Sequence, residues 1–141
     1  MTGKYFEIFC SLNLIIEAIR DEGTSYHYLP KNEPSELCQK LLKKLKNNEN
    51  LWSEVKSWTT DAPYRETMSA INEMKKNNVI CVEMEASALY AFAKAKNKEV
   101  ICFAHLTNTM AQKEGDFEKG EDYGSPETIK LIEEVIKKIN P

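Results

Sequence analysis

The run Val79-Ile80-Cys81-Val82, followed at once by Glu83-Met84-Glu85 and an alanine-rich segment, limits this chain more than any other stretch. Four consecutive apolar residues, three of them β-branched or valine-like in shape, predict a strand buried on both faces, and the break at Glu83 predicts a helix just beyond it. Two carboxylates then stand where a buried strand ends. In an open α/β sheet that place is the crevice beyond the carboxyl ends of the strands, where ligands bind. The same acids also suit the first turn of a helix, where the macrodipole favours negative charge, so the stretch by itself leaves both readings open.

The remaining pattern fits a chain of alternating strands and helices. Tyr5 to Ile19 is rich in Phe, Ile and Leu and predicts one or two strands. Gly23 supports a turn, and Thr24 to Tyr28 predicts a loop closed by Pro30. From Pro34 to Lys46, Leu37, Leu41, Leu42 and Leu45 recur at helical spacing with lysines opposite. Glu66 to Lys76 predicts a short helix with Met68 and Ile71 inward, ended by Asn77-Asn78. Glu85 to Lys96 predicts the alanine-rich helix, and Val100 to Leu106 a second buried strand, so that strand, helix and strand would make a parallel βαβ unit. Thr107 to Tyr123 is a charged loop too long for a plain connector, which predicts a flap or a segment ordered by a ligand or neighbour. Ser125-Pro126-Glu127 starts a last helix, whose Ile129, Ile132, Val135, Ile136 and Ile139 predict a stripe facing the sheet.

At 141 residues the chain is long enough for one domain, and the expectation is a single, partial domain over residues 1–141. The net charge of −3 and a pI near 5.5 give no electrostatic footprint for nucleic acid or an anionic membrane. Cys10, Cys38, Cys81 and Cys102 are scattered without a Cys-x-x-Cys pair or a histidine at ligand spacing, so buried free thiols are expected, and no metal site. That usage suits a reducing cytoplasm. Phe6 to Ile16 contains Glu7 and Asn13 and is far short of a membrane span.

Val82-Glu83-Met84-Glu85-Ala86 resembles the Val-Glu-Met-Glu-Ala signature of the purine and uridine nucleoside phosphorylase family. Two further stretches are similar to the same family: Ala18-Ile-Arg-Asp-Glu-Gly-Thr-Ser-Tyr-His-Tyr-Leu-Pro30 and Thr59-Thr-Asp-Ala-Pro-Tyr-Arg-Glu66. They occur in the family's order, and with Ala104 to Gly120 they carry the resemblance from Ile15 to the C-terminus. The resemblance also bears on Leu51 to Thr60, where Trp52, Val55 and Trp58 suit a helical face but the family calls for a strand. The resemblance thus predicts a strand that enters the Thr59-Thr60-Asp61 loop. The implied fold is α/β, a mixed, mostly parallel sheet flanked by helices, phosphorylase/hydrolase-like and truncated at its N-terminus.

The implied reaction is phosphorolysis of a purine or pyrimidine nucleoside to free base and ribose 1-phosphate, a pentosyl transfer. Its transition state carries oxocarbenium-like charge on the ribose, which a nearby carboxylate stabilises. The resemblance gives Glu83, Met84 and Glu85 as ribose-binding, with Glu85 the first choice for catalysis. Otherwise Met84 would be an ordinary core residue. Asn108 falls where many purine-specific members place an acid that protonates the leaving base. Asparagine can donate and accept hydrogen bonds but cannot be that acid, which weakens a hydrolytic reading and suits a uridine-type or 6-oxopurine-type base site; otherwise it caps a turn. Thr60, Asp61 and Tyr64 are candidate walls of the base pocket, against the alternative of a turn organised by Asp61 and Pro63. Arg20 and His27 are candidates for lining the site or a subunit interface, and His105 for the core.

No cofactor is implied, with inorganic phosphate as co-substrate. Nothing before Ile15 supplies the family's glycine-rich phosphate loop, and Gly3 with Lys4 is no substitute; a polyanionic nucleophile needs positive partners to bind and orient it. The expected partners are a nucleoside and either further copies of the chain in a homo-oligomer or another family chain. The alternative is a catalytically inactive, truncated member that binds nucleoside or associates with a full-length homologue.

Overall fold

The computed structural model describes residues 12–46, 51–106 and 125–141. Its centre is β1 (Leu12–Asp21), which pairs in parallel with β3 (Ser53–Thr60), and β3 pairs in parallel with β4 (Val79–Glu83). On its other edge β1 pairs antiparallel with β5 (Phe103–His105) at its start and with β2 (Ser35–Glu36) further along. The sheet is therefore mixed, with its longest pairings parallel, as the resemblance implies. Leu14, Ile15, Ala18, Val55 and Cys81 build the core with leucines from α1 (Gln39–Leu45). A register shift between Ile15 and Glu17 bulges β1. At that bulge the Ile15 carbonyl accepts a 2.5 Å bond from the Tyr90 hydroxyl, which in turn accepts from the Cys102 amide at 3.1 Å. Burial pushes the Tyr90 phenol far above its ordinary value, so it stays a neutral donor.

Two helices cover opposite faces of the sheet. Side chains alternate along a strand, and in β3 Ser57 and Thr59 point to α3 (Ala86–Lys96) while Trp58 points to α2 (Met68–Lys76). The Thr67 hydroxyl caps α2 by accepting from the Ala70 amide, and Asn78, at φ 59°, turns the chain into β4. Asn97, left-handed at φ 50°, ends α3.

Several expectations are corrected. The stretch from Pro34 is not helical until Gln39: Ser35–Glu36 pairs with β1 and the Leu37 amide donates to the Ile16 carbonyl at 3.0 Å, because an open strand edge offers those groups partners that a helix start lacks. Among the described residues β4 is an edge strand, and it is not buried on both faces, with Ile80 half exposed at 50%. β5 does not join β4 in a parallel βαβ unit, since the chain leaving Asn97 returns antiparallel along β1. In α2, Ile71 is buried but Met68 faces out. In α4 (Ser125–Ile139), Leu131 and Val135 are buried and Ile139 partly so, whereas Ile129, Ile132 and Ile136 are exposed; this helix contacts α1 more than the sheet. Cys81 is buried, as expected, but Cys102 is only half-buried and Cys38 is exposed at the start of α1. His105 is half-buried. Among the described residues no helix is long and apolar enough to cross a membrane. The expectations for Cys10, Asn108, the strand start at Tyr5 and the loop from Thr107 to Tyr123 fall outside the described residues.

Candidate functional site

Three parallel strands end side by side, with Asp21 opposite Thr60 and Thr59 opposite Glu83. The chain then continues from β4 into Met84, Glu85 and α3. The two acids of this turn differ in their surroundings. Glu83 is half-buried and its carboxylate accepts from four donors of the chain itself: Ser57 Oγ at 2.9 Å and Thr59 Oγ1 at 2.5 Å on one oxygen, and the amides of Glu85 at 2.8 Å and Ala86 at 2.6 Å on the other. It thereby ties β3 to the N-terminal end of α3, whose unpaired amides need an acceptor. Glu85 is exposed, and among the described residues its carboxylate accepts one hydrogen bond, from the Met84 amide at 3.3 Å. Met84 is 47% exposed and is no core residue. The turn thus presents a solvent-facing carboxylate next to a thioether. A carboxylate only accepts hydrogen bonds and a pair of vicinal hydroxyls can donate two, so the arrangement suits a diol.

Behind the turn lies a buried chain of polar groups. The Ser87 amide donates to Thr59 Oγ1 at 3.0 Å, and the Ser87 hydroxyl donates to Glu22 Oε1 at 2.6 Å. Glu22 Oε2 accepts from the Ser25 amide at 2.9 Å. Burial pushes the Glu22 carboxyl up, but the bonds from Ser25 and Ser87 outweigh it and leave the group below its ordinary value.

The opposite face is arranged differently. Asp21 receives Arg65 through both oxygens, with Nε at 3.0 Å and Nη2 at 2.5 Å, and also the Trp58 indole N–H at 3.1 Å. The Arg65 hydrogen bond is the largest cause holding the Asp21 carboxyl below its ordinary value, against the effect of burial. Thr60 is buried beside it, while Asp61 is exposed and Tyr64, on the 3-10 turn Pro63–Arg65, is 85% exposed. Of the three candidates for the base pocket, Thr60 is thus buried, and Asp61 and Tyr64 face solvent.

Arg20 directs its guanidinium into its own loop, donating to Ser25 Oγ and to the carbonyls of Leu29, Pro30 and Glu33 at 2.6–2.9 Å, with Tyr26 stacked 4.2 Å away. His27 is exposed on the 3-10 turn Thr24–His27. Two clefts of about 590 and 480 Å³ open among the described residues, the first around Lys40 and Lys94 and the second beside Asp21, Trp58, Arg65 and Met74, and neither is lined by Met84 or Glu85. Among the described residues no group of three His, Cys, Asp or Glu side chains is placed to hold a metal ion. Sequence reasoning missed Glu22, Asp21, Ser57 and Ser87. One signal for part of this set is the pair of small hydroxylated residues Ser57 and Thr59, which flank Trp58 two apart on a strand and so share one face.

Residues 11–137 match the model of the phosphorylase superfamily. The chain belongs to that superfamily. Among curated proteins, none matches it in sequence. Solved structures share the superfamily fold: purine nucleoside phosphorylase from Toxoplasma gondii in complex with immucillin-H, at TM-score 0.70 and 16% identity, covers 90% of this chain and 54% of that one. The P. knowlesi homologue of P. falciparum PNP has TM-score 0.67 and 15% identity, covering 92% and 54%. AMP nucleosidase from Bacteroides thetaiotaomicron has TM-score 0.61 and 20% identity, covering 87% and 55%. This superfamily chain spans about half the length of those structures.

Proposed function

We propose that this chain holds the ribose of a purine or pyrimidine nucleoside at Met84 and Glu85, for phosphorolysis to free base and ribose 1-phosphate with inorganic phosphate as co-substrate. The observation that carries the reading is the division of labour in the turn: Glu83 is satisfied by the chain's own donors, and Glu85 stands exposed beside Met84 at the ends of the parallel strands. Glu85 accepts from the ribose hydroxyls and lies close to the positive charge that develops on the sugar as the bond to the base breaks. Met84 packs on the sugar. Thr60, Asp61 and Tyr64 bound the base, and Asn108 hydrogen-bonds it. Cationic partners for the phosphate come from beyond the described residues or from another chain, in a homo-oligomer or with another member of the superfamily.

The test is base release from a panel of purine and pyrimidine nucleosides, with and without phosphate, by the wild type and by Glu85→Ala. Phosphate-dependent release that the substitution lowers at least about a hundredfold is the expected result. Nucleoside binding without turnover, again lost in Glu85→Ala, would instead support the inactive, nucleoside-binding member. Equal behaviour of wild type and variant in both release and binding would overturn the site.

A further inference from the structure

Glu22 is a buried carboxylate at the end of β1. It is only 8% exposed, and the groups that hydrogen-bond it are hydroxyls and amides of Ser25, Ser87 and Thr24, not a cation. Burying a carboxylate is costly, and packing alone is served as well by an apolar residue of similar volume. What a carboxylate provides and a leucine does not is two acceptors fixed in direction. One holds Ser25, at the start of the 3-10 turn after β1, and the other holds the hydroxyl of Ser87 in the first turn of α3. Ser87 is gripped a second time through its amide by Thr59, which also donates to Glu83. Ser87 in the first turn of α3 is thus held by both side chain and backbone, and Glu85 lies two residues before it.

We propose that Glu22 is a positioning residue for the Met84–Glu85 turn, fixing through Ser87, Thr59 and Glu83 the direction in which Glu85 meets a ribose. This rests on the nucleoside reading above. The relay joins the ends of β1, β3 and β4 on the α3 face, so each strand end contributes one anchored group: Glu22, Thr59 and Glu83. Glutamine can replace Glu22 without breaking it. The glutamine carbonyl accepts from Ser25, its amide donates to Ser87 Oγ, and the serine hydroxyl turns to accept. Alanine removes both contacts.

The experiment compares wild type, Glu22→Gln and Glu22→Ala, each checked for folding by circular dichroism. Calorimetric titration with inosine and with uridine is read beside amide hydrogen exchange at Glu85 and Ala86. Glu22→Ala is expected to weaken nucleoside binding about tenfold or more and to speed exchange at both amides, because small misplacement of a binding group is costly; Glu22→Gln restores most of both. A folded Glu22→Ala with wild-type affinity and wild-type exchange overturns the proposal, since a purely structural role lowers the melting temperature without touching either readout. If Glu22→Ala does not fold, Ser87→Ala cuts the same link and is judged by the same outcomes. Should the wild type bind neither nucleoside, the nucleoside reading fails by itself, and exchange at Glu85 and Ala86 decides whether Glu22 positions the turn.

Discussion

The two faces of the sheet end differently at the same edge. On the α3 face, Glu83 and Glu22 are held by hydroxyls and amides, and the acid left over, Glu85, is exposed. On the α2 face, Asp21 is engaged by the Arg65 guanidinium and the Trp58 indole, and Asp61 and the aromatic Tyr64 are left exposed. Neutral donors hold a carboxylate in place without cancelling its charge. An arginine holds it and cancels the charge. A sugar that becomes positive in the transition state gains from the first arrangement, whereas an uncharged base needs only a surface to lie on and donors or acceptors at its edge.

The largest effect that would break this contrast is at Glu83. Replacing it with alanine leaves two hydroxyls and two amides without their acceptor, so Glu83→Ala is expected to lose about 3 kcal/mol in urea unfolding. Glu85→Ala, its exposed neighbour, is expected to stay within about 0.5 kcal/mol of wild type. Equal losses from the two would mean that the carboxylates share the anchoring and that neither is set aside for a ligand.

The α2 face is probed through pH. The Asp21 carboxyl is lowered in the fold, so it binds its proton less readily there than in the unfolded chain. Its contribution to stability is complete above its unfolded value and is lost as pH falls through the lower folded value. Arg65 is the first cause of that lowering. Arg65→Gln should therefore be less stable than wild type at neutral pH, by less than Glu83→Ala, and the gap should close as pH falls below the ordinary aspartate range. Urea unfolding from neutral to acid pH reads the gap directly. A gap that persists unchanged at low pH would show that Arg65 acts by packing and not through Asp21.

How much of this was legible in the sequence depends on range. The strand at Val79, the helix after it and the Glu-Met-Glu turn follow from local pattern, because burial period and helix start are written in neighbouring residues. Which faces are covered is not local. The isoleucines Ile129, Ile132 and Ile136 have a helical spacing as good as that of Leu131 and Val135, and only the position of α1 decides which set is buried. The antiparallel β5 likewise depends on which edge of β1 lies open after α3 has crossed the sheet. The polar network joins partners 26 and 65 residues apart, Ser57 with Glu83 and Glu22 with Ser87, and no spacing rule relates them. Helix propensity could not reveal that Pro34 to Cys38 precedes the helix, because the competing partner is the backbone of β1.

The smallest expected effect on stability is the most direct test of the second half of the contrast. Tyr64 is 85% exposed, so Tyr64→Ala should change the unfolding free energy by no more than about 0.5 kcal/mol. A ring so exposed gives the fold little and is available to stack on a base, and such contacts are worth about 1–3 kcal/mol where a base lies on an aromatic ring. Tyr64→Ala should therefore weaken nucleoside binding roughly tenfold while Glu85→Ala weakens binding of free ribose as well, since only the first contact requires a base. If Tyr64→Ala instead lowers stability and leaves nucleoside affinity alone, the Pro63–Arg65 turn serves to place Arg65 over Asp21, and the base is bounded by other residues.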